Sequence, residues 1–177
     1  MNHLQTNRCY YIKCIYIIIY IWPLIMSIET DIKQKKFRSA YQRLALNLVY
    51  TSNWLEYKQL EFFKEHDITS QQYNVLRILR GQQMNPIKVS DITERMLDKN
   101  SNTSRLVDKL LAKNLAKRSS CPNDRRAVDV LITEEGLKML EELDPHVEEW
   151  ENRFNVLSTE EAEQMSALLD KLRASEN

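Results

Sequence analysis

Between residues 30 and 65, Phe37, Tyr41, Leu44, Leu48 and Leu55 recur at steps of four, three, four and seven, with Ala40, Ala45 and Val49 widening the stripe. That period predicts one long amphipathic helix over 30–65. Thr69-Ser70-Gln71-Gln72 has the spacing of a capping box, and opens a helix carrying Tyr73, Val75, Leu76, Ile78 and Leu79 that closes at Gly81. Pro86-Ile87 reads as extended chain. Val89, Ile92, Met96 and Leu97 mark a short helix ending before the turn Asp98-Lys99-Asn100. A second helix over Asn100 to Asn114, N-capped by Asp98 or Asn100, places Leu106, Val107, Leu110 and Leu111 on one face. Its opposite face collects Ser101, Asn102, Ser104, Arg105, Asp108 and Lys109. Asn114 ends it, because Asn tolerates the left-handed conformation.

The period then changes to two. Val128, Val130 and Ile132 alternate with Asp129 and Leu131, which predicts a hairpin of Leu115–Ser119 with Arg126–Ile132 around a turn-rich loop, 120–125. Thr133 caps a following helix with Glu134 and Glu135 at its positive end, and Pro145 is expected to kink it near Asp144. Ser158-Thr159-Glu160-Glu161 is a second capping box, and starts a helix striped by Ala162, Met165, Leu168, Leu169 and Leu172. Helices of such broad apolar face pack on their own domain or on a second copy. Their occurrence at both ends of the chain favours a homodimer.

Two glycines and four prolines in 177 residues agree with a mainly helical chain. The formal net charge of +0 says nothing about nucleic acid, but its distribution does. From Lys88 to Arg126 ten basic residues face five acidic ones; from Thr133 to Glu151 eight acidic residues face Lys138 alone. A basic block beside an acidic one is the electrostatic footprint of a nucleic-acid face next to a solvated helix. Small hydrogen-bonding side chains and an Arg in the first turns of a helix suit a major-groove reader. For Arg105 the competing role is an i,i+3 salt bridge with Asp108, and for Lys109, Lys113 and Lys117 it is plain solvated charge, set against phosphate contact.

Residues 15–26 form an apolar run of twelve, shorter than the ~18 needed to span a bilayer. No small-residue cleavage site follows it. The Ile, Tyr, Asn and Lys bias of the segment is that of AT-rich untranslated DNA, so we expect translation to start at Met26, with residues 1–25 an over-extended gene prediction; the alternative is a short membrane-associating tether. Cys9, Cys14 and Cys121 share no ligand spacing with His3, His66 and His146, so neither a metal site nor a cofactor is expected. An odd cysteine count fits a reducing cytosol. Cys121 reads as an inert loop residue, a redox role requiring a resolving partner. With no nucleophile–base pair and no glycine-rich phosphate loop, an enzyme is the weakest reading.

The stretches ITSQQYNVLRILRG, VSDITERML, SNTSRLVDKLLAKNLAKR, NDRRAVDVLITEEG and LSTEEAEQMSALLDKL, in this order, resemble the MarR family of winged helix-turn-helix regulators. The resemblance covers about 36–172. It implies a mainly α fold with a small β-hairpin wing, a winged helix-turn-helix core flanked by N- and C-terminal dimerisation helices. The corresponding division is 26–83 for the N-terminal dimerisation and supporting helices, 84–132 for the DNA-binding region and 133–177 for the C-terminal dimerisation helices. It also implies a cytoplasmic homodimer on a pseudo-palindromic double-stranded DNA operator, a repressor relieved by a small aromatic effector. Carried over by position, Ser101, Asn102, Ser104, Arg105 and Lys109 would contact DNA from the helix. Asp124 would hold the wing while Arg125 or Arg126 enters the minor groove. Trp54, Tyr57 and Tyr73 are effector-pocket candidates, although core packing accounts for them equally. Asn114 stands where the family commonly has Gly, and Cys121 and Pro122 give the wing tip its own shape. The rival class is a winged helix used for protein contact without DNA.

Overall fold

The computed structural model describes residues 27–120 and 128–174. It divides into two units, one ending at His66 and the other beginning at Asp67. Among the described residues no helix is long and apolar enough to cross a membrane.

In the first unit the single helix expected over 30–65 is two: α1 (Ile28–Asp31) and α2 (Ala40–Glu65). Lys33 takes a left-handed φ of 54° after α1, and α2 starts afresh at Ser39, whose hydroxyl accepts the Gln42 N–H at 3.2 Å. The Gln42 side chain reaches back to the N–H of Arg38 at 2.7 Å. Ser39-Ala-Tyr-Gln42 therefore has the same Ser/Thr-x-x-Gln spacing as 69–72, hidden by the apolar stripe running through Phe37. Arg43 clamps Glu29 with hydrogen bonds of 2.6 and 3.4 Å, joining α1 to the first turn of α2 and holding that carboxyl down to about 2. Most large apolar side chains of α2 are uncovered, Tyr41 to 83%, and Phe63 is the buried one.

The second unit begins with α3 (Ser70–Arg80), whose capping box is complete: Gln72 N–H to Thr69 Oγ1 at 3.1 Å and Thr69 N–H to Gln72 Oε1 at 2.9 Å. Gly81 caps it in right-handed geometry, and the chain reverses at Gln83 and Met84, with φ of 52° and 67°. Then follow β1 (Ile87–Lys88), α4 (Val89–Arg95), α5 (Thr103–Ala112), β2 (Ala116–Ser120), β3 (Val128–Ile132) and α6 (Glu134–Asn152). A 3-10 turn at Arg153–Val156 leads to α7 (Thr159–Ala174).

The sheet has the order β1-β3-β2 and is antiparallel throughout, Ile87 opposite Val130 and Ala116 opposite Ile132. Its inner face packs on the helices through the core side chains Val75, Leu76, Leu79, Ile92, Met96, Leu110, Val130, Ile132, Leu140 and Leu143, each almost fully buried. The alternation expected in β3 holds, Val130 and Ile132 buried and Asp129 and Leu131 half-buried. Helix α6 continues through Pro145 to Asn152. Helix α7 opens on the second capping box, with Glu161 N–H on Ser158 Oγ and the Glu161 carboxylate on Ser158 N–H, and buries none of its own residues.

An ion pair joins α3 to α6. Arg80 at the end of α3 binds Asp144 on α6 through both carboxylate oxygens, at 2.7 and 3.1 Å. The guanidinium holds the Asp144 carboxyl below the usual carboxylate range. A carboxyl depressed in the folded state stabilises it above the unfolded pKa, about 3.9, and loses that effect as pH falls through the folded value. Asp144→Asn is therefore expected to cost about 1 kcal/mol near neutrality, since the pair is partly exposed. The deficit should shrink toward zero as pH drops below about 4. Urea unfolding of both proteins at several pH values measures it; a deficit that stays constant down the acid limb would assign the loss to something other than charge.

Candidate nucleic-acid interface

The second helix of the helix-turn-helix begins later than its sequence pattern suggests. Residues 98–102 form a turn, and Asn102 is the N-cap, its Oδ1 accepting the Arg105 N–H at 3.1 Å. The expectation that Asp98 or Asn100 would cap this helix is corrected by what Asp98 does. Its carboxylate accepts the Asn100 N–H at 2.9 Å, the Ser101 hydroxyl at 2.8 Å and the Gln71 side-chain amide at 3.0 Å. These bonds, the Asn100 N–H foremost, hold the carboxyl below its ordinary range. The turn is thus a carboxylate-centred loop, which outcompetes another half-turn of helix because it satisfies three donors at once.

From Thr103 the helix divides cleanly. Thr103, Leu106, Val107 and Leu110 are buried; Ser104, Arg105, Asp108 and Lys109 are exposed on contiguous turns. Asp108 does not take Arg105. It pairs with Arg118 of β2 at 2.9 Å, which ties the helix to the base of the wing, and Arg105 is exposed. The helix ends in a Schellman arrangement, Leu115 N–H to Leu110 O and Asn114 N–H to Leu111 O, with Asn114 left-handed at φ 57° as expected.

Of the cations that follow, Lys113 is occupied: its ammonium lies 2.9 Å from the Asp67 carboxylate and also donates to the Asp67 carbonyl. Lys109 and Lys117 are exposed. Strands β2 and β3 carry the wing, but its tip, with Cys121, Pro122, Asp124, Arg125 and Arg126, lies outside the described residues. Trp54 and Tyr57 are exposed on α2 in the first unit. Tyr73, half-buried on α3 in the second, accepts a hydrogen bond from Arg77 at 2.9 Å, with the guanidinium 5.8 Å from its ring centre. Ser101 and Asn102 thus support the helix start, while Ser104, Arg105 and Lys109 form its outward face.

The cap makes a prediction. Asn102→Ala removes the acceptor for the Arg105 N–H and should destabilise the protein by about 1 kcal/mol. A urea midpoint unchanged by this substitution would show that the cap contributes nothing.

The matched family model, described as MarR family, spans residues 68–128, from the start of α3 to the second wing strand. Over 109 residues the chain is 30% identical to the HTH-type transcriptional regulator MhqR of Bacillus subtilis (strain 168), covering 61% of this chain and 74% of that protein. The chain belongs to the MarR family. Another MarR-type relative, the HTH-type transcriptional repressor MdtR of the same organism, is 36% identical over 86 residues, which is 49% of this chain and 54% of the repressor. The fold matches that of MepR from Staphylococcus aureus in a MepR–DNA complex with a TM-score of 0.69 and 27% identity, over 76% of this chain and 98% of MepR. In this MarR chain the hold of Gln71 and Asn74, on α3, upon the turn has no local sequence signal, Gln71 lying inside a capping box and Asn74 among apolar residues; only the Asp98-x-x-Ser101 spacing carries one.

Proposed function

We propose that the chain is a homodimeric, sequence-specific DNA-binding regulator of transcription that lays α5 of each copy in a major groove. The division of α5 carries this: a buried Leu106-Val107-Leu110 stripe opposite Ser104, Arg105 and Lys109, with Asp108 diverted to Arg118. Arg105 and Ser104 reach base edges, and Lys109 reaches phosphate. Ser101 and Asn102 approach the backbone from the helix start. In the wing, the proposed roles are Asp124 for the loop and Arg125 or Arg126 for the minor groove, whose negative potential favours Arg. The likeness to MepR, solved with DNA, supports this assignment.

The second copy covers apolar side chains that each unit leaves exposed. On α2 these include Tyr41, Leu44 and Val49; after α6 they include Val156, Met165, Leu168 and Leu172. Uncovered apolar surface of this kind marks an interface. A two-fold dimer then implies a pseudo-palindromic operator with half-sites about one helical turn apart. The protein acts in the cytoplasm by binding rather than catalysis, as a repressor of a nearby operon relieved by a small aromatic effector, with Trp54, Tyr57 and Tyr73 as candidate contacts.

The test is an anisotropy titration of duplex DNA from the region upstream of its own gene at increasing salt, alongside sedimentation of the free protein. Dimers whose affinity falls steeply with salt are expected, since phosphate contacts release counterions. A monomer with no DNA affinity at low salt would leave the protein-contact reading in its place.

A further inference from the structure

The turn between α4 and α5 is gripped from outside the helix-turn-helix. Gln71 and Asn74 stand three residues apart on α3, hence on one face of it. Gln71 donates its amide to the Asp98 carboxylate at 3.0 Å, and Asn74 Oδ1 accepts the Leu97 N–H at 3.0 Å. The two bonds take hold of consecutive residues. Asp98 then passes the hold forward, accepting from Asn100 N–H at 2.9 Å and the Ser101 hydroxyl at 2.8 Å, directly before the Asn102 cap on Arg105 N–H at 3.1 Å. Leu97, 87% exposed, contributes no packing that could do the same work. Met96 is buried at the end of α4, but from Leu97 to Asn102 no side chain is, so over this stretch the path into α5 is held by polar bonds. From the Thr103 end onward the helix is fixed by its apolar stripe, so freedom at the turn would be felt first at Ser104 and Arg105.

We propose that Gln71 and Asn74 are positioning residues for sequence discrimination: without touching DNA, they hold the 97–101 turn and so set where α5 presents Ser104 and Arg105. This rests on the proposed DNA-reading role of α5. Base readout needs bidentate geometry and is sensitive to small displacements, whereas phosphate attraction is not. Loss of the grip should lower affinity for the preferred sequence while sparing general affinity for DNA.

The experiment uses full-length protein and two duplexes: one selected by the wild type from a random-sequence pool, and a scramble of it with the same length and composition. Wild type, Gln71→Ala/Asn74→Ala, Asn74→Ala and Asn74→Asp are titrated against both, with thermal unfolding of each. The double variant should lose roughly tenfold of its selected-to-scrambled affinity ratio while binding the scramble as before. Asn74→Asp keeps the acceptor for the Leu97 N–H; its added charge should weaken both duplexes alike and leave the ratio near wild type, unlike Asn74→Ala. An unchanged ratio in the double variant overturns the inference, as does an equal loss on both duplexes with a lowered melting temperature, which is a merely structural effect. If the wild type enriches no sequence, the DNA-reading role itself fails and the inference with it, a result distinct from the other two.

Discussion

Gly136→Ala is expected to destabilise the protein by about 3 kcal/mol or more, read as a large fall in the urea midpoint. In most helix interiors the same change would be favourable by roughly 1 kcal/mol, because Ala gives up less backbone entropy than Gly. Here the sign reverses for a geometric reason. A Cβ at Gly136 would lie 2.2 Å from the Leu115 carbonyl oxygen and 2.8 Å from Ile132 Cγ1. The carbonyl is backbone and cannot swing away, and it accepts the Thr133 N–H at 3.2 Å. Thr133 in turn donates its hydroxyl to the Asn114 carbonyl at 2.7 Å and accepts the Gly136 N–H at 3.0 Å. The end of α5, the root of β2, the end of β3 and the start of α6 all meet at this joint, so relief of the clash would disturb four elements together. Gly81→Ala is the control. A Cβ there would meet only Ile78 O at 3.4 Å and Arg77 O at 3.5 Å, with a right-handed φ of −62°, so its midpoint should hold or rise slightly. Equal midpoints for Gly136→Ala and wild type would mean that the close approach of Leu115 is absent.

The second large effect falls on DNA binding. Arg105→Ala should cost about 1–3 kcal/mol of discrimination between the preferred duplex and a scrambled one, measured by competition titration. Lys109→Ala should instead weaken both and reduce the salt slope by about 1. The structure separates these two from Lys113, which the sequence offered as another phosphate contact. Its ammonium is held by Asp67, so Lys113→Ala is expected to leave the salt slope unchanged. Full discrimination by Arg105→Ala would mean that a different face of α5, or a different element, reads the bases.

What the sequence revealed and what it hid follow from the range of the interactions concerned. Helix α3 was legible because its capping box and its Val75-Leu76-Leu79 stripe are local and agree. The end of α5 was legible because Asn114 is one of the few residue types that readily tolerates the left-handed conformation it adopts. The start of α5 was not, since Asp98, Asn100, Ser101 and Asn102 are all competent caps in a row. The choice among them depends on Gln71, distant in sequence, holding Asp98 in the turn. The break before α2 was masked because Phe37 continues the apolar period across it. Strand β1 is two residues long, and its pairing with β3 is a tertiary fact. The diversion of Asp108 to Arg118 likewise depends on how β2 lies against α5, which no i,i+3 rule contains. The exposed face of α5 was nameable in advance because polarity and periodicity mark a helix face. Its supports were not, being contacts between elements.

The central claim is that two copies of this chain read a two-fold DNA site through α5. Selection of bound duplexes from a random-sequence pool, sequenced after successive rounds, tests it most directly. A pseudo-palindrome with half-sites about one helical turn apart, enriched by wild type and lost with Arg105→Ala, is the predicted result. Enrichment of no motif, or of a single unpaired half-site, would contradict it.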